Sequence, residues 1–519
     1  MKRSIGILAV VIGAPWALTS CADEAAPVAV GPPVASVASS LAAPQSPALR
    51  LQPIYDAIGA LVDAGQLSPM LAQALKAKAN AAAMLLDAGK EQQGRAILSA
   101  LLQQVRALVA IHVLTLDQAA PLLDATANVV EGGLSLVSVS TGEAHACGLA
   151  ADGVAWCWGY NLYGQLGDGT TTDRNAPAPV TGNVRFTGLA AGGFHTCGLT
   201  ADGTAYCWGQ NNGGQLGNAS TQGSAVPVLV AGSHTWSVLD VADQLTCGLT
   251  TDGVAYCWGT NQNAALGTAS TTESCVTFAT LPCSSTPIAV SGNPVFRSIT
   301  TGLLSACAVD AVGTGHCWGW GQFGELGDGV ASGTCSVAGS SGRCAVTPTV
   351  VLGGPFRSIS AGGAYACGLS TGGAASCWGF GAFGQLGGGT VGASTAPVAV
   401  VGGLTFRDLA ASKANSILGH ACGLSTSGQA FCWGSNSFGQ LGASTSEACS
   451  APSQLNPACS TAPIAVDGGI AFGTISPGNA FTCGIDVGGG TYCWGWNRFG
   501  QLGDGSNLNR GSPARVKLP

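Results

Sequence analysis

The sequence predicts a mainly β protein, in which a seven-bladed β-propeller is preceded by a small α-helical bundle and a lipoprotein signal and tether. The chain of 519 residues contains 79 glycines and is only 9% charged, a composition that favours many short strands joined by tight turns. Cys-Trp-Gly occurs seven times, at residues 157–159, 207–209, 257–259, 317–319, 377–379, 432–434 and 493–495. Each copy is followed by Leu-Gly and then by a proline-containing strand. Seven such units indicate a solenoid or a propeller, and a closed ring leaves no unprotected strand edges.

Residues 1–20 are typical of a lipoprotein signal peptide. Lys2 and Arg3 precede an apolar run over residues 5–18 that is too short to span a bilayer. The run ends in Leu-Thr-Ser-Cys, which resembles the lipobox of bacterial lipoproteins and implies that Cys21 is acylated. An ordinary signal peptide with a chance cysteine is the alternative. We expect a lipid-anchored protein of the cell envelope, periplasmic or surface-exposed, and at the outer membrane because residue 22 is Ala rather than Asp.

Residues 21–50 are rich in Ala, Pro and Ser and predict a stiffened tether, whereas residues 51–133 follow a helical pattern. We expect four helices, near residues 53–64, 69–88, 91–111 and 116–131. Ser68-Pro69 predicts one helix start, and Thr115 with Gln118 has the spacing of a capping box. The run from GQLSPMLAQAL to EQQGRAI, with VRALV and LTLDQAAPLL, resembles the FIMAH-type helical module of bacterial extracellular proteins. This resemblance implies an accessory or spacer role without catalytic residues.

Residues 134–519 form the repeat array. Its pattern, FxxIxAGxxHxCxLxxxGxxxCWGxNxxGQLGDG, resembles the repeat of the regulator of chromosome condensation family in all seven copies. That family folds as a seven-bladed β-propeller, so the resemblance implies the fold that the repeat count predicts. Copy three has Asn-Ala-Ala-Leu at residues 263–266 where other copies have Gly-Gln-Leu, and we expect a locally altered turn there.

Fourteen of the twenty cysteines that follow Cys21 form pairs ten residues apart, one pair in each copy. A glycine six residues after the first cysteine, such as Gly153, suits the left-handed position of a three-residue hairpin loop. The strands then pair so that Cys147 lies opposite Cys157, with a Cα separation of ~4.5 Å that permits a disulfide. We predict one disulfide per blade: Cys147–Cys157, Cys197–Cys207, Cys247–Cys257, Cys307–Cys317, Cys367–Cys377, Cys422–Cys432 and Cys483–Cys493.

The other six cysteines lie in the three longest insertions between Leu-Gly and the proline-containing strand. We predict that each insertion is closed by its own disulfide: Cys275–Cys283, Cys335–Cys344 and Cys449–Cys459. Zinc binding is the alternative, but the sequence contains no Cys-x-x-Cys and the expected compartment is oxidising. We therefore expect no metal site in these insertions, and we expect all three on the same face of the propeller.

His145, His195 and His420 occupy the same repeat position, two residues before the first blade cysteine. Equivalent histidines on one ring are compatible with a metal site. The other four copies have Leu, Ser, Tyr or Phe at this position, however, and the family often has a packing histidine there. We interpret the three histidines as packing residues rather than metal ligands.

Asp168, Asp328 and Asp504 lie in Gly-Asp-Gly sequences, without the alternating carboxylates of a calcium loop. We interpret them as turn residues. We interpret the seven tryptophans of Cys-Trp-Gly as residues that pack the blades rather than as a platform for sugars. Trp320 and Trp496, two residues beyond two of these tryptophans, are the better candidates for exposed contacts with a ligand.

The sequence favours a binding protein over an enzyme. The net charge of −7 argues against nucleic-acid binding, which needs clustered basic residues. No nucleophile elbow, zinc-protease motif or phosphate-binding loop occurs, so we predict a non-enzyme without a cofactor. Polar groups gathered in the channel would favour an exported lyase or hydrolase, and an apolar-aromatic face would favour binding.

We therefore expect a monomeric, membrane-anchored binding or scaffold protein whose propeller face recognises a protein or a glycan. Secreted bacterial relatives of this repeat family include propeller-type β-lactamase inhibitors, so the resemblance implies protein binding. The alternative is guanine-nucleotide exchange on a small GTPase, the activity of the eukaryotic nuclear member. An export signal and paired cysteines argue against this alternative, and none of that protein's site residues can be placed on this sequence.

Overall fold

The computed structural model describes residues 51–111, 113–115, 118–119, 122–123, 126 and 135–518, except residues 270, 272, 278, 338–339, 341, 414–418 and 450–456. The predicted signal peptide, Cys21 and the tether of residues 21–50 lie outside the described residues. Among the helices that the structure describes, none combines the length and the apolar character needed to cross a membrane.

Three of the four expected helices are described in full: α1 Gln52–Asp63, α2 Pro69–Asp87 and α3 Glu91–Ala110. Ser68 caps α2, because its Oγ accepts a hydrogen bond from the N–H of Leu71 at 3.3 Å. The capping box is formed as well. The N–H of Thr115 donates to Gln118 Oε1 at 2.8 Å, and the N–H of Gln118 donates to Thr115 Oγ1 at 3.2 Å. The described part of the fourth expected helix, residues 118–119, 122–123 and 126, is helical.

Seven antiparallel sheets follow, and each forms one blade. Blades 1 and 2 contain four strands, and blade 3 contains a fifth because its insertion forms a hairpin. Blade 1 contains β1 Leu136–Thr141, β2 His145–Ala150, β3 Ala155–Gly159 and β4 Arg174–Pro179. Blade 2 contains β5 Phe186–Ala191, β6 His195–Thr200, β7 Ala205–Gly209 and β8 Ser224–Leu229. Blade 3 contains β9 Trp236–Val241, β10 Leu245–Thr250, β11 Ala255–Thr260, β12 Glu273–Val276 and β13 Thr280–Ala289.

The remaining four blades each contain four strands in chain order. Blade 4 contains β14 Ser298–Thr301, β15 Ser305–Val309, β16 Gly315–Trp320 and β17 Cys344–Val350. Blade 5 contains β18 Phe356–Ala361, β19 Tyr365–Ser370, β20 Ala375–Gly379 and β21 Ser394–Ala399. Blade 6 contains β22 Phe406–Ala411, β23 His420–Ser425, β24 Ala430–Ser435 and β25 Cys459–Ala465. Blade 7 contains β26 Phe472–Pro477, β27 Phe481–Asp486, β28 Thr491–Gly495 and β29 Arg510–Arg515.

The sheets are arranged as a closed ring. The first strands of successive blades contact one another, from β1 with β5 round to β26 with β1, and they therefore surround the central channel. The fourth strand of each blade lies on the outside. In the described part of the array no sheet contains strands from both ends, so blade 7 closes the ring against blade 1 through contacts and hydrogen bonds between two separate sheets.

The two faces of the ring differ in their loops. The loops between the first and second strands and between the third and fourth strands emerge on one face, which we call the long-loop face. The tight hairpins between the second and third strands, and the connections to the next blade, emerge on the other, which we call the hairpin face. The three disulfide-closed insertions all join third to fourth strands, so they share the long-loop face.

Ten disulfides are present, with the pairing that the spacing predicts. In blade 1, Gly153 takes a φ of 83° in the hairpin loop, and Cys147 lies opposite Cys157 with a Cα separation of 4.1 Å. The other six blades repeat this geometry, at Cα separations of 4.0–4.1 Å. The insertions are closed by Cys275–Cys283, Cys335–Cys344 and Cys449–Cys459.

The Cys-Trp-Gly tryptophans join neighbouring blades, as expected. Each of the seven is fully buried. In six of them the indole N–H donates to a backbone oxygen of the preceding blade, that of the glutamine in the Gly-Gln-Leu-Gly turn or of Glu325 at the same position. The bond from Trp158 to Gln501, at 2.9 Å, closes the ring between blades 1 and 7. These bonds satisfy donors that burial would otherwise leave unpaired.

Copy three has the altered turn that its sequence predicts. Residues 262–264 form a single 3-10 turn in which Asn263 and Ala264 take positive φ angles of 55° and 63°. Ala265 replaces the glutamine whose backbone oxygen receives the indole bond elsewhere. In this altered turn the indole nitrogen of Trp318 in blade 4 is buried without a hydrogen-bond partner among the described residues.

Candidate binding surfaces

The three equivalent histidines hold blades together. His145, His195 and His420 are fully buried, and each Nε2 lies 2.7–2.9 Å from a threonine hydroxyl of the next blade. That hydroxyl, in Thr196 for example, donates to the backbone oxygen of Gln165, so the histidine must be the donor from Nε2. Burial lowers the pKa of each histidine to about 3. Since each of the three engages a different junction, they do not form a common metal site.

The Gly-Asp-Gly aspartates stabilise their own loops. Asp168 accepts hydrogen bonds from the backbone and side chain of Thr170 and pairs with Arg174 at 2.8 Å. Asp504 pairs with Arg510 in the same way, and Asp328 pairs with Arg343. This arrangement agrees with the interpretation as turn residues.

Among the described residues, one group of metal-type side chains comes close together: Glu273, Cys275 and Cys283. Both cysteines are consumed by their mutual disulfide, and the carboxylate of Glu273 accepts a hydrogen bond from the N–H of Ser285 at 2.9 Å. A disulfide offers no thiolate to a metal ion. This group is therefore part of the insertion's own structure.

The channel wall carries polar side chains that link the blades. Four inner-strand hydroxyls accept a hydrogen bond from the backbone of the next blade at 2.9–3.2 Å: Ser140, Thr300, Ser360 and Ser476. Asp240 occupies the equivalent position in blade 3, and it forms an ion pair with Lys413 of blade 6. Blades 3 and 6 lie three positions apart in the ring, so this ion pair spans the channel.

Two carboxyl groups lie in neighbouring inner loops on the long-loop face. Burial raises the pKa of Asp243 to about 6. Burial, and secondarily the charge of Asp243, raise the pKa of Glu143 to about 8. Both shifts favour the protonated form, and raised carboxyl pKa values are a feature that acid–base chemistry uses.

A row of aromatic side chains crosses the long-loop face from blade 6 to blade 2. The centroid distances are 6.0 Å from Phe438 to Trp496, 5.4 Å from Trp496 to Phe499 and 4.7 Å from Phe499 to Tyr160. Tyr163 extends the row, with 40% of its surface exposed. We call this set, with Phe194 of blade 2 at 5.9 Å from Tyr160, the first aromatic row.

A second, shorter row lies on the same face in blades 4 and 5. Trp320 packs edge-on against Phe323 at 5.2 Å, Phe323 against Phe380 at 5.2 Å, and Phe380 against Phe383 at 6.1 Å. Phe383 is buried against the insertion disulfide Cys449–Cys459. The disulfide-closed insertion of blade 6 therefore supports this row from the side.

Trp320 and Trp496, the two tryptophans selected from the sequence, belong one to each row. Both are half-buried rather than exposed, because each packs against an aromatic ring three residues later in its own loop. Tyr160, Tyr163 and Phe438, which lie in the first row with Trp496, were not predicted from the sequence. The signal was available, since an aromatic residue recurs at the first and fourth positions after Cys-Trp-Gly in several copies.

A shallow cavity lies on the opposite, hairpin face between blades 3 and 4. Its lining includes Phe296, Asp310, His316 and Thr347. His316 Nε2 lies 3.4 Å from a carboxylate oxygen of Asp310. Burial alone would raise the pKa of Asp310, but hydrogen bonds from Thr314, His316 and the backbone hold it below its ordinary value. Asp310 also closes its own hairpin by accepting from the N–H of Thr314 at 2.8 Å, so a structural role accounts for it.

Comparison with known proteins finds the same repeat in several parts of the array. The sequence pattern described as "Regulator of chromosome condensation (RCC1) repeat" matches residues 152–199, 202–247 and 488–519, and a second pattern with the same description matches residues 136–165, 186–215 and 418–440. The ultraviolet-B receptor UVR8 of Arabidopsis thaliana is 29% identical over 227 residues, which are 43% of this chain and 46% of the receptor. The probable E3 ubiquitin-protein ligase HERC3 of Homo sapiens is 35% identical over 99 residues, 19% of this chain and 9% of the ligase. The matches thus span less than half the length of these relatives.

Solved structures agree with the observed fold. Yeast RCC1 (Prp20), in its complex with Kap60, superposes with a TM-score of 0.57 at 19% identity, covering 74% of this chain and 85% of that one. Human WBSCR16 gives a TM-score of 0.57 at 18% identity, covering 70% of this chain and 94% of that one. Both similarities concern the fold. The repeat patterns place regulator of chromosome condensation (RCC1) repeats in the matched segments of the array, and the solved structures agree with its propeller fold.

Proposed function

We propose that this protein is an exported, membrane-anchored binding protein whose long-loop face recognises a protein partner. The observation that carries the proposal is the pair of aromatic rows on that face. Tyrosine, tryptophan and arginine dominate the energetic centres of protein interfaces, and the first row combines all three, since the guanidinium of Arg498 lies 5.8 Å from the ring centre of Phe499. Loops closed by disulfides lose little conformational entropy on binding, which favours recognition by this face.

Binding accounts for the long-loop face better than catalysis does. The channel hydroxyls and the Asp240–Lys413 pair are already engaged between blades. Glu143 and Asp243 have the raised pKa values that acid–base chemistry uses, but both residues are half-buried and one carboxylate oxygen of each is buried. The similarity to E3 ligases rests on matched segments that are a small part of those enzymes, so it supplies no catalytic domain.

The proposal is tested by site-specific photo-crosslinking in intact cells. A photoreactive phenylalanine analogue replaces Tyr163 or Phe438 on the long-loop face, or Val312 on the hairpin face, where the valine is 79% exposed. We expect one discrete protein adduct from each long-loop position and none from Val312. An adduct from Val312 alone, or a glycan in place of a protein, would contradict the proposed partner class.

Matched substitutions then separate binding from folding. Tyr163→Ala and Phe438→Ala remove exposed rings from the first row, and Val312→Ala serves as the control. We expect each ring substitution to weaken capture of the crosslinked partner about tenfold or more, as for interface residues that cost 1–2 kcal/mol. All three variants should keep the propeller fold, because the rings of Tyr163 and Phe438 lie at the surface, 40% and 37% exposed, and a thermal unfolding measurement checks this.

Membrane anchoring is the second part of the proposal and rests on the lipobox-like sequence before Cys21. Peptide mapping of protein from the envelope fraction should find an acylated Cys21 as the first residue. Cys21→Ser should release the protein from the membrane without changing its ten disulfides. An unprocessed N-terminus with free thiols would contradict both export and anchoring.

Guanine-nucleotide exchange is the alternative, and the fold similarity to yeast RCC1 is the observation that favours it. Prp20p is described as binding Gsp1p and histones. Release of a fluorescent guanine nucleotide from Gsp1p, with and without this protein, tests the alternative directly. We expect no acceleration, and an acceleration would replace the proposal.

A further inference from the structure

Three arginines occupy one repeat position in three consecutive blades. Arg297, Arg357 and Arg407 each follow a buried phenylalanine, which begins the innermost strand in blades 5 and 6 and lies just before it in blade 4. Because the innermost strands start on the hairpin face, the three side chains lie around the mouth of the channel on that face. All three residues are exposed. We call this set the arginine row.

Hydrogen bonds connect each member of the row to the next blade. Arg297 Nη2 donates to the backbone oxygens of Phe356 at 2.6 Å and of Arg357 at 3.1 Å. Arg357 Nη2 donates to the backbone oxygens of Phe406 and Arg407 in the same way. Each guanidinium group is thereby held beside the backbone of the next arginine, which fixes the row as a continuous arc.

The third member completes the arc. Arg407 Nη2 donates to the backbone oxygens of Phe472 at 2.6 Å and Gly473 at 3.0 Å. In all three arginines these bonds use Nη2, and a guanidinium group has further N–H donors on Nε and Nη1. Donors thus remain available to a ligand on the exposed side of each group.

Uncharged residues at this repeat position bond within their own blade. In blade 2 the hydroxyl of Thr187 donates to the backbone oxygen of Leu199 at 3.1 Å. In blade 3 the hydroxyl of Ser237 donates to the backbone oxygen of Leu249 at 3.1 Å. The three arginines instead bond to the next blade, and they bring three positive charges to neighbouring blades on one face, where like charges repel one another.

The charge of the row is not neutralised within the described part of the chain. Five other cations of the propeller form ion pairs with carboxylates: Arg174, Arg185, Arg343, Arg510 and Lys413. No described carboxylate forms an ion pair with Arg297, Arg357 or Arg407. Asp408, beside Arg407 in sequence, directs a carboxylate oxygen to the N–H of Leu409 at 2.9 Å.

We propose that the arginine row binds a ligand that carries several phosphate groups, either a free oligophosphate or the phosphates of lipid head groups. The planar guanidinium fork matches the geometry of phosphate oxygens, and three forks in an arc suit a ligand with more than one phosphate. This site lies on the hairpin face, so it is independent of the partner proposed for the long-loop face.

The test uses the full, disulfide-bonded chain and two probes. Calorimetry measures the binding of inorganic tripolyphosphate, and sedimentation measures binding to phosphatidylglycerol vesicles, with phosphatidylcholine vesicles as the reference. Arg357→Gln keeps a hydrogen-bond donor but removes the charge, and we expect it to weaken binding about tenfold, as for the loss of a charged hydrogen bond. Arg185→Gln, an exposed arginine of the same face paired with Asp152, is the matched control and should change affinity less than twofold.

The outcomes separate the two sources of phosphate. Arginine-dependent binding of tripolyphosphate identifies a soluble ligand, and arginine-dependent binding of vesicles alone identifies a head-group site. Arg357→Lys should restore part of the affinity, which checks that charge rather than folding is responsible. Failure of both probes to bind, or equal weakening by Arg185→Gln, would overturn the proposal while leaving the long-loop partner unaffected.

Discussion

Ala264 shows how one side chain alters a junction between two blades. The equivalent residue in copy one, Gly164, has a φ of 80°, a conformation that glycine adopts without strain. Ala264 takes nearly the same conformation, at a φ of 63°. Its neighbour Ala265 lacks the side-chain oxygen with which Gln165 accepts the N–H of Tyr163 at 3.0 Å. In copy three the equivalent N–H, that of Asn263, donates to Ser340 Oγ at 2.7 Å instead, and the indole nitrogen of Trp318 is buried without a partner among the described residues.

Replacing Ala264 by glycine should stabilise the protein. The left-handed conformation costs a residue with a Cβ about 1–2 kcal/mol, and part of this gain is offset by the greater freedom of glycine in the unfolded chain. We expect the free energy of unfolding to rise by about 0.5–1 kcal/mol for Ala264→Gly, measured by denaturant titration. Ala265 has a helical φ of −57°, so Ala265→Gly should lower the stability instead. Equal effects of the two substitutions would contradict the strain at Ala264.

Glu325 occupies the glutamine position in copy four, and its carboxyl group is nearly fully buried. Burial raises its pKa to about 8, although hydrogen bonds and Arg343 oppose the shift. A carboxyl group with a raised pKa in the folded state contributes stability below about pH 4.5, and this contribution is lost as the pH rises through 8.

Glu325→Gln should therefore remove a pH dependence. We expect the wild-type free energy of unfolding to fall between pH 5 and pH 8, with a slope of up to about 1.4 kcal/mol per pH unit from this group. The variant should lose this slope, because the amide can accept the N–H of Phe323 as Gln385 accepts that of Phe383 at 2.8 Å. Equilibrium unfolding at several pH values checks this, and an unchanged slope would show that Glu325 is ionised in the folded protein.

At the scale of the structural element, the ten disulfides fall into two classes by exposure. The seven blade disulfides and the pairs Cys275–Cys283 and Cys449–Cys459 are buried. Cys335–Cys344 is half-buried, in the insertion of blade 4. Arg343, which precedes Cys344 in that insertion, forms an ion pair with Asp328.

Cys335–Cys344 should consequently be the first disulfide to be reduced. Thiol–disulfide exchange requires access of the attacking thiolate to sulfur, and the other nine bonds offer little access in the folded state. We expect brief treatment with a mild thiol, followed by alkylation and peptide mapping, to label Cys335 and Cys344 before any other pair. Simultaneous labelling of a blade pair such as Cys147 and Cys157 would mean that reduction proceeds through global unfolding.

Features within one repeat could be predicted from the sequence, and features between repeats could not. The spacing of Cys147, Gly153 and Cys157 determines a hairpin register, and Thr115 with Gln118 determines a helix start, because each uses contacts a few residues apart. The aromatic rows depend on rings from different blades, such as Phe499 and Tyr160. Their distance of 4.7 Å depends on ring closure, which no local pattern encodes. The same holds for the ion pair between blades 3 and 6.

The ring as a whole is stabilised at its seven junctions, since no strand is shared between the ends of the array. Three junctions contain a buried histidine that donates to a threonine hydroxyl of the next blade, and this hydroxyl donates to a backbone oxygen. Between blades 6 and 7, His420 donates to Thr482, and Thr482 donates to the backbone oxygen of Gln440. Burial lowers the pKa of His145, His195 and His420 to about 3 in the folded state, whereas an unfolded histidine titrates near 6.5. The unfolded chain therefore binds more protons between these two values, and stability must fall as the pH is lowered from 6.5 towards 3.

This linkage predicts how the whole ring responds to acid. Each histidine should contribute a slope of about 1.4 kcal/mol per pH unit, so three of them make acid unfolding steep. His420→Phe copies the buried Phe481 found at the same repeat position in blade 7 and should remove about one third of the histidine contribution. His234→Gln, at a half-buried position on the surface of blade 3, is the control and should leave the slope unchanged. Urea titrations between pH 4 and pH 6.5 measure the slopes. If His420→Phe unfolds with the wild-type slope, the junction histidines are already protonated in the folded ring, and their hydrogen bonds to threonine would have to be reassigned.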